Sequence, residues 1–305
     1  MDNSREKQEG YEGLQVWKVI GVFAMVFLAV QLVVAFLGVS INAIMRSIGA
    51  GENIRIFFGS TLSRAGMIAA TILICAPVIR KVFQEDPLSL LYPFTQNWLK
   101  DVLGGIIISG CVIALMFAIM LVLNQITVDR MALSGQPLVV WLRAIWLAIL
   151  VNTAAAAGEE VIFRGLLLTG LKKAWDAAGA IFISAVIFGA SHVLVAGARE
   201  SNWLEFIPLL ALPGVMLGWA FLRSGNLWLA TGLHFGWNLF QDDLFNLAAR
   251  NKGDSLFGWV VAHNGPAWLL GNSYGIEVGL IGILSAALVG AGILLYTRKK
   301  HASDQ

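Results

Sequence analysis

Charge is scarce in this sequence: only 13% of its 305 residues are Asp, Glu, Lys or Arg, against about 25% in an ordinary soluble domain. A water-facing surface cannot be covered with so little charge. With 58% hydrophobic residues and a mean hydropathy of +0.75, the composition belongs to an integral membrane protein. Cysteine is nearly absent. Cys75 and Cys111 lie in apolar runs with no Cys-x-x-Cys spacing, which excludes a disulfide framework and a structural zinc site and leaves them as small core residues. The net charge of +2 and the lack of a basic stripe with interleaved aromatics exclude nucleic acid as a partner. What is plentiful is tryptophan, eleven residues, which suits the bilayer interfaces.

Apolar runs of about 20 residues give an all-α polytopic membrane fold of eight spans, residues 1–305 forming a single membrane domain. The first is expected at Val19–Val39, after a polar segment from Met1 to Gly13 that reads as the lead-in to an anchor and not as a cleaved signal. Loop polarity is expected from Ser40 to Ile54, then a second span at Ser60–Val78, stopped by Arg80 and Lys81. Gln84 to Lys100 is a connection lying partly at the interface, before a third span at Val102–Leu123. After a polar loop with Asp129, Arg130 and Gly135, the fourth span starts beyond Pro137 and runs as one long helix to Lys172 and Lys173. The fifth is Gly179–Ala196, and the sixth is Phe206–Leu222 with Pro213 and the small pair Gly214 and Gly218, which permits close helix approach. Ser224-Gly225-Asn226 turns into the seventh, Leu227–Leu247, and a polar loop from Arg250 to Tyr274 precedes the eighth, Ile276–Tyr296. Lys and Arg gather on one side of this arrangement (Arg5, Lys7, Lys18, Arg80, Lys81, Lys100, Lys172, Lys173, Arg223, Arg298 to Lys300). The other side has Arg46, Arg55, Arg130, Arg199, Arg250 and Lys252, so both termini are expected in the cytoplasm.

Within the fourth span stands Gly158-Glu159-Glu160-Val161-Ile162-Phe163-Arg164-Gly165. A charge near the bilayer centre costs roughly 2.5 to 3.5 kcal/mol on insertion scales, so three ionisable groups there mark a functional site. A solvated helix end is the plainer reading, but membrane helices avoid such groups. Glu160 and Arg164, four apart, share a helix face and should neutralise each other, while Glu159 is rotated by about 100°. That leaves Glu159 as the carboxyl suited to taking up and releasing a proton.

Depth brings partners to it. Counting back from Lys172 to Glu159, or forward from Gly179 to His192, covers the same length of helix on either side of a hairpin at Ala174 to Ala178. Glu159 and His192 should therefore lie level, roughly 20 Å from that hairpin. His234 and Asn238, one turn apart on the seventh span, reach a similar depth. Phe188 precedes His192 by four and can pack over its imidazole. Asn152 and Thr153 lie two turns above Glu159, placed to hydrate a cavity or, more simply, to bond between helices. His263, in an outer loop, and His301, in the tail, have no role.

A carboxylate and an imidazole at one level can deprotonate a water between them, while a second imidazole and an amide donate to a developing oxyanion. That apparatus hydrolyses a peptide or ester bond without a covalent nucleophile. Ser191 faces away from the neighbouring His192, and no Gly-x-Ser-x-Gly elbow exists. Glu159, His192 and His234 could also hold Zn²⁺, though not at the His-Glu-x-x-His spacing, so the cofactor stays open between none and zinc.

In sequence order, Glu159-Glu160-x-x-x-Arg164, Phe188-x-x-x-His192 and His234-x-x-x-Asn238 resemble the three motifs of the CAAX protease and bacteriocin-processing (CPBP) family of intramembrane proteases, which includes the Rce-type prenyl-protein endopeptidases. The likeness covers about Val140 to Asn246, within a catalytic core of spans four to seven at 138–247. It implies that Glu159 and His192 activate water, that His234 and Asn238 form the oxyanion hole, and that Glu160 and Arg164 brace the site. It also implies a membrane-associated peptide or protein substrate. Rce-type members act on prenylated C-termini, and prokaryotic relatives are linked to bacteriocin maturation, self-immunity or protein sorting. The short polar termini fit a prokaryotic inner membrane. The rival reading is a non-catalytic protein, a proton-coupled transporter or a scaffold. Transport predicts internal repeats with paired broken helices, and Pro213-Gly214 is a single interruption without a counterpart.

Overall fold

The computed structural model describes residues 14–195, 203–247, 258–271 and 276–303. Arg5, Lys7, Arg199, Arg250 and Lys252, counted above for orientation, lie outside them, as do Met1 to Gly13 and Ala196.

Helix α1, Val16–Ser47, outruns its apolar stretch. Ser40, Asn42 and Arg46 were expected to begin a loop, but polarity does not break a helix whose backbone bonds are intact. The stop comes at Gly49, whose φ of 70° closes the C-terminus in the left-handed region. A π-helical turn, Arg55–Gly59, leads into α2, Ser60–Lys81, which carries Pro77 in its interior. The connection that follows is partly helical: Asp86 accepts from the amides of Leu88 and Ser89 and caps a single turn, Pro87–Leu90. Helix α3 is Trp98–Val122.

The polar loop expected after α3 holds a strand instead. β1, Ile126–Met131, pairs antiparallel with β2, Trp259–His263, in a two-stranded sheet with a bulge between Val128 and Arg130. The β-branched Ile126, Thr127 and Val128 pair with His263, Ala262 and Val261 from more than a hundred residues away, a pairing that no local pattern announces.

Helix α4, Leu138–Glu160, continues through a π-helical stretch, Val161–Leu168, to Ala174, making the single long span expected. α5 is Ala177–Val195, α6 Trp203–Ser224 and α7 Trp228–Asn238, the last extended by a π-helical turn, Leu239–Leu244. Gly225, at φ 77°, makes the tight turn between α6 and α7. A 3-10 turn, Ile276–Val278, precedes α8, Leu280–Ser303.

Five helical stretches are long and apolar enough to cross a bilayer: Val16–Ser47, Arg55–Lys81, Trp98–Val122, Leu138–Ala174 and Leu280–Arg298, with Ala177–His192 a shorter apolar helix. The expected eight are thus not all reached by length and hydropathy among the described residues. The fold is nonetheless an all-α polytopic membrane protein. Leu28, Phe36, Leu73, Ile107 and Leu115 are exposed on its outer surface, as lipid-facing side chains must be. Cys75 is buried as expected, but Cys111 is exposed on α3.

The centre is built by close helix contact. α7 packs on α3, α4 and α6, α5 on α6, and α2 on α1 and α4. Glycines set the two tightest seams. A Cβ on Gly105 would stand 2.5 Å from the Leu233 amide nitrogen, and one on Gly214 2.8 Å from Ala185 Cα, so α3 meets α7 and α6 meets α5 backbone to backbone. Ser109 Oγ donates to the Leu233 carbonyl at 2.8 Å and pins the first seam.

Candidate active site

Burial separates the paired glutamates. Glu160 and Arg164 are 0% and 1% exposed, whereas the Glu159 side chain keeps 31%. The i,i+4 spacing pairs the first two as expected: Arg164 Nη1 donates to Glu160 Oε1 at 2.9 Å. Arg164 Nη2 donates to the Gly214 carbonyl at 3.2 Å, and its Cζ lies 4.5 Å from the centre of the Phe188 ring. The guanidinium thus ties α4 to α6 and α5. It stands where the backbone widens into π geometry just after Glu160, with Thr169 Oγ1 donating to the Arg164 carbonyl at 3.0 Å.

Glu160 has a second partner that spacing along one helix could not reveal. Its Oε1 lies 2.8 Å from His234 Nδ1. An ionised carboxylate only accepts, so Nδ1 carries the proton and His234 turns its Nε2 toward Glu159, 3.9 Å from Oε2. His192 is oriented by its own helix. Its Nδ1 donates to the Phe188 carbonyl at 2.9 Å, leaving Nε2 free to face Glu159 Oε2 at 3.7 Å. Phe188 packs between them, 4.4 Å from the His192 ring and 6.2 Å from the His234 ring, and meets Phe163 edge-on.

Glu159 Oε2 is shielded from solvent with no hydrogen-bond partner, and both imidazoles point at it from just beyond bonding distance. It lines a cavity of about 540 Å³. Asn238, one turn after His234, stands on the same wall. Glu159, Phe188, His192, His234 and Asn238 are therefore brought together around one space, with Glu160 and Arg164 buried behind it. Asn152 is not part of it. Its amide donates to Asp243 Oδ2 at 2.6 Å and to the Ala148 carbonyl, the helix-to-helix role that was the simpler expectation. Thr153 is exposed. Ser191, expected to face away, does line the cavity, but its hydroxyl turns back to the Phe188 carbonyl at 2.7 Å and makes no nucleophile–imidazole pair.

Three charged residues of this cavity escaped the sequence reading. Glu277, from the 3-10 turn before α8, accepts from Gln241 Nε2 at 2.8 Å and Trp237 Nε1 at 3.4 Å, and its Oε2 is buried without a partner. Arg64 reaches the cavity from inside α2, and Asp242 from the π turn after α7. Arg64 carried the same signal as Glu159, a charge within an apolar run. Tyr92 was also unforeseen as a brace. Its hydroxyl bonds the Ala157 carbonyl at 3.1 Å and Thr231 Oγ1 at 3.0 Å, joining α4 to α7 beside the site. Burial pushes that phenol up from its ordinary pKa, so it stays a donor.

The candidate metal ligands Glu159, His192 and His234 converge, and Glu160 and Phe188 hold the far nitrogens of the two rings much as outer-shell partners do in metal sites. Their separations do not fit a bound ion. Tetrahedral bonds of about 2.0 to 2.1 Å would bring ligand atoms to roughly 3.3 Å of one another, and the pairs here stand at 3.7 and 3.9 Å. Among the described residues no group of three or more His, Cys, Asp or Glu is arranged to hold a metal.

The fold and this buried ionisable cluster define a polytopic membrane protein with a polar cavity among its helices. Over residues 140–240, about a third of the chain, it matches the family model described as type II CAAX prenyl endopeptidase Rce1-like, within the family that the three motifs resemble. Glu159, Glu160, Arg164, Phe188, His192, His234 and Asn238 all fall inside the match. No curated protein and no solved structure matches the chain.

Proposed function

We propose that the protein is an intramembrane endopeptidase in which Glu159 and His192 activate a water for attack on a peptide bond of a membrane-associated substrate. The observation that carries this reading is the unsatisfied Glu159 Oε2 facing two imidazole Nε2 atoms across gaps of 3.7 and 3.9 Å in a cavity large enough for a peptide segment. A water about 2.8 Å from both Glu159 Oε2 and His192 Nε2 completes normal hydrogen bonds to each. Its oxygen attacks the scissile carbonyl carbon while Glu159 takes its proton. The C–N bond then breaks, and that proton goes to the leaving nitrogen.

The carbonyl oxygen becomes an oxyanion, held by the Asn238 amide and by His234 Nε2–H. For His234 to donate from Nε2 while Nδ1 donates to Glu160, both nitrogens must be protonated. The charges then balance, with Glu159 and Glu160 against Arg164 and His234. Helices α4 to α7, residues 138–247, act as the catalytic core in this reading, and the site keeps the same roles whether the natural substrate is a prenylated C-terminus or a bacteriocin precursor.

The test is cleavage of membrane-anchored peptides by the purified protein in detergent, wild type beside Glu159→Gln. The amide cannot accept the water's proton, so cleavage should fall by at least about a hundredfold, with the fold kept because Glu159 Oε2 makes no hydrogen bond that the amide would lose. Full activity in Glu159→Gln would refute the assignment.

A further inference from the structure

The cavity at Glu159 continues between α1 and α2. There it shares Val34, Arg64 and Met67 with a second cavity of about 530 Å³, whose polar lining includes Asn42, Arg46, Glu52, Arg55 and Ser63. Arg64 is the one side chain carrying charge that borders both. It lies in the apolar stretch Arg55–Lys81 and is half-buried, and among the described residues no hydrogen bond, ion pair or ring contact engages its guanidinium. Arg164, by contrast, is engaged by Glu160, Gly214 and Phe188. An unpaired cation in a membrane helix is retained for something that binds it.

Height along the helices places that ligand beside the reacting bond. Met67, one turn after Arg64, is the side chain that a Cβ on Gly158 would meet at 3.2 Å, and Gly158 precedes Glu159. Arg64 therefore lies about 4.5 Å along α2 from the level of Glu159, a step that an extended peptide covers in roughly one to three residues.

We propose that Arg64 anchors a carboxylate of the substrate, one to three residues from the scissile bond, and that the vestibule bearing Arg46 and Arg55 draws this anionic group in. A guanidinium matches a carboxylate or a phosphate with two parallel hydrogen bonds. Glu52 in the same vestibule opposes a doubly charged phosphate more than a singly charged carboxylate, and the opening leads to a cavity suited to acyl hydrolysis. The carboxylate comes from an acidic side chain or a free C-terminus. This anchor rests on the hydrolase reading only in calling its ligand a substrate.

The test uses apolar peptides identical except for one carboxylate replaced by carboxamide, in one series at an Asp side chain and in another at the C-terminus. Their binding to full-length Glu159→Gln protein, which does not cleave them, is measured by thermophoresis in detergent. The carboxylate form of one series should bind roughly tenfold or more tighter than its amide, and the series that responds identifies the source. Adding Arg64→Gln should abolish that preference, and Arg64→Lys, which keeps the charge but not the fork, should retain only part of it. Since Arg64 has no partner among the described residues to lose, both variants should fold. In the otherwise unchanged enzyme, Arg64→Gln should raise KM for the acid peptide by about tenfold with little change in kcat. Equal binding of acid and amide, or a preference that survives Arg64→Gln, overturns the anchor. So does displacement of the acid peptide by phosphatidylglycerol micelles, which would make the ligand a lipid. Cleavage without carboxylate preference overturns the anchor alone, whereas preference in binding with no cleavage by wild type overturns only the hydrolase reading.

Discussion

Glu160 Oε1 lies 2.8 Å from His234 Nδ1. The same oxygen accepts from Arg164 at 2.9 Å, so one buried carboxylate fixes an arginine on its own helix and an imidazole on another. The two adjacent glutamates therefore differ in kind. Glu160 is held through Oε1 by two structural partners, its Oε2 being buried without one, whereas Glu159 makes no hydrogen bond through the Oε2 that faces the two imidazoles of the cavity.

That difference predicts opposite behaviour on amidation. Glu160→Gln leaves the Arg164 guanidinium buried without its counter-charge, which should cost about 3 to 5 kcal/mol of stability, and it frees His234 to rotate, which should abolish cleavage too. Glu159→Gln should keep wild-type stability. Thermal unfolding in detergent separates the two, and equal melting temperatures for both variants would contradict the division of labour.

Phe188 is predicted to matter through its ring and not only its bulk. Arg164 stands over one face, and both imidazoles pack around it. Phe188→Leu keeps an apolar side chain of similar reach but loses the cation–π and edge contacts, about 1 to 2 kcal/mol in a buried setting. Cleavage should fall by roughly tenfold as the imidazoles lose their alignment. A Phe188→Leu enzyme with unchanged kcat would reduce Phe188 to core filling.

The parts of this site that lie on one helix, or at one depth, were legible in the sequence. Glu160 and Arg164 pair because they are four apart, and Glu159 meets His192 because equal helix lengths separate both from one hairpin. The link from Glu160 to His234 was not legible, since it depends on the rotation of α7 against α4, two helices distant in sequence. The strands β1 and β2 were hidden for the same reason, each too short to declare itself without the other. The polar end of α1 was misjudged because a loop was inferred from polarity where only Gly49 breaks the helix. Arg64 was overlooked although the argument that singled out Glu159, a charge in an apolar run, applies to it equally. Glu277 had a weaker signal, one acid at the head of the last apolar run.

Chelation should leave cleavage unchanged. The ligand atoms of Glu159, His192 and His234 stand too far apart to share an ion, and the gap suits a water. Activity of protein purified and assayed in a strong chelator should equal the untreated value. Loss on chelation that is restored by zinc alone would mean that the three side chains close by about half an ångström around a metal, and the water would then be metal-bound.

The last prediction concerns how His234 is held in place. A Cβ on Gly232 would overlap the Val102 carbonyl, so Gly232→Ala must push α7 away from α3, carrying with it His234, two residues on. Nearby, a Cβ on Gly218 would meet side chains only, the flexible end of Leu168 at 3.3 Å and Ile181 at an ordinary 3.8 Å. Gly232→Ala should therefore cost about 1 to 3 kcal/mol and, because an ångström of misplacement can cost about a hundredfold in rate, lose far more activity than stability. Gly218→Ala should be close to neutral in both. Parallel measurement of melting temperature and cleavage rate for the pair isolates the effect of displacement from that of a methyl group. Wild-type activity in Gly232→Ala would mean that the α3–α7 seam does not position the imidazole, and that the Glu160 hydrogen bond alone holds it.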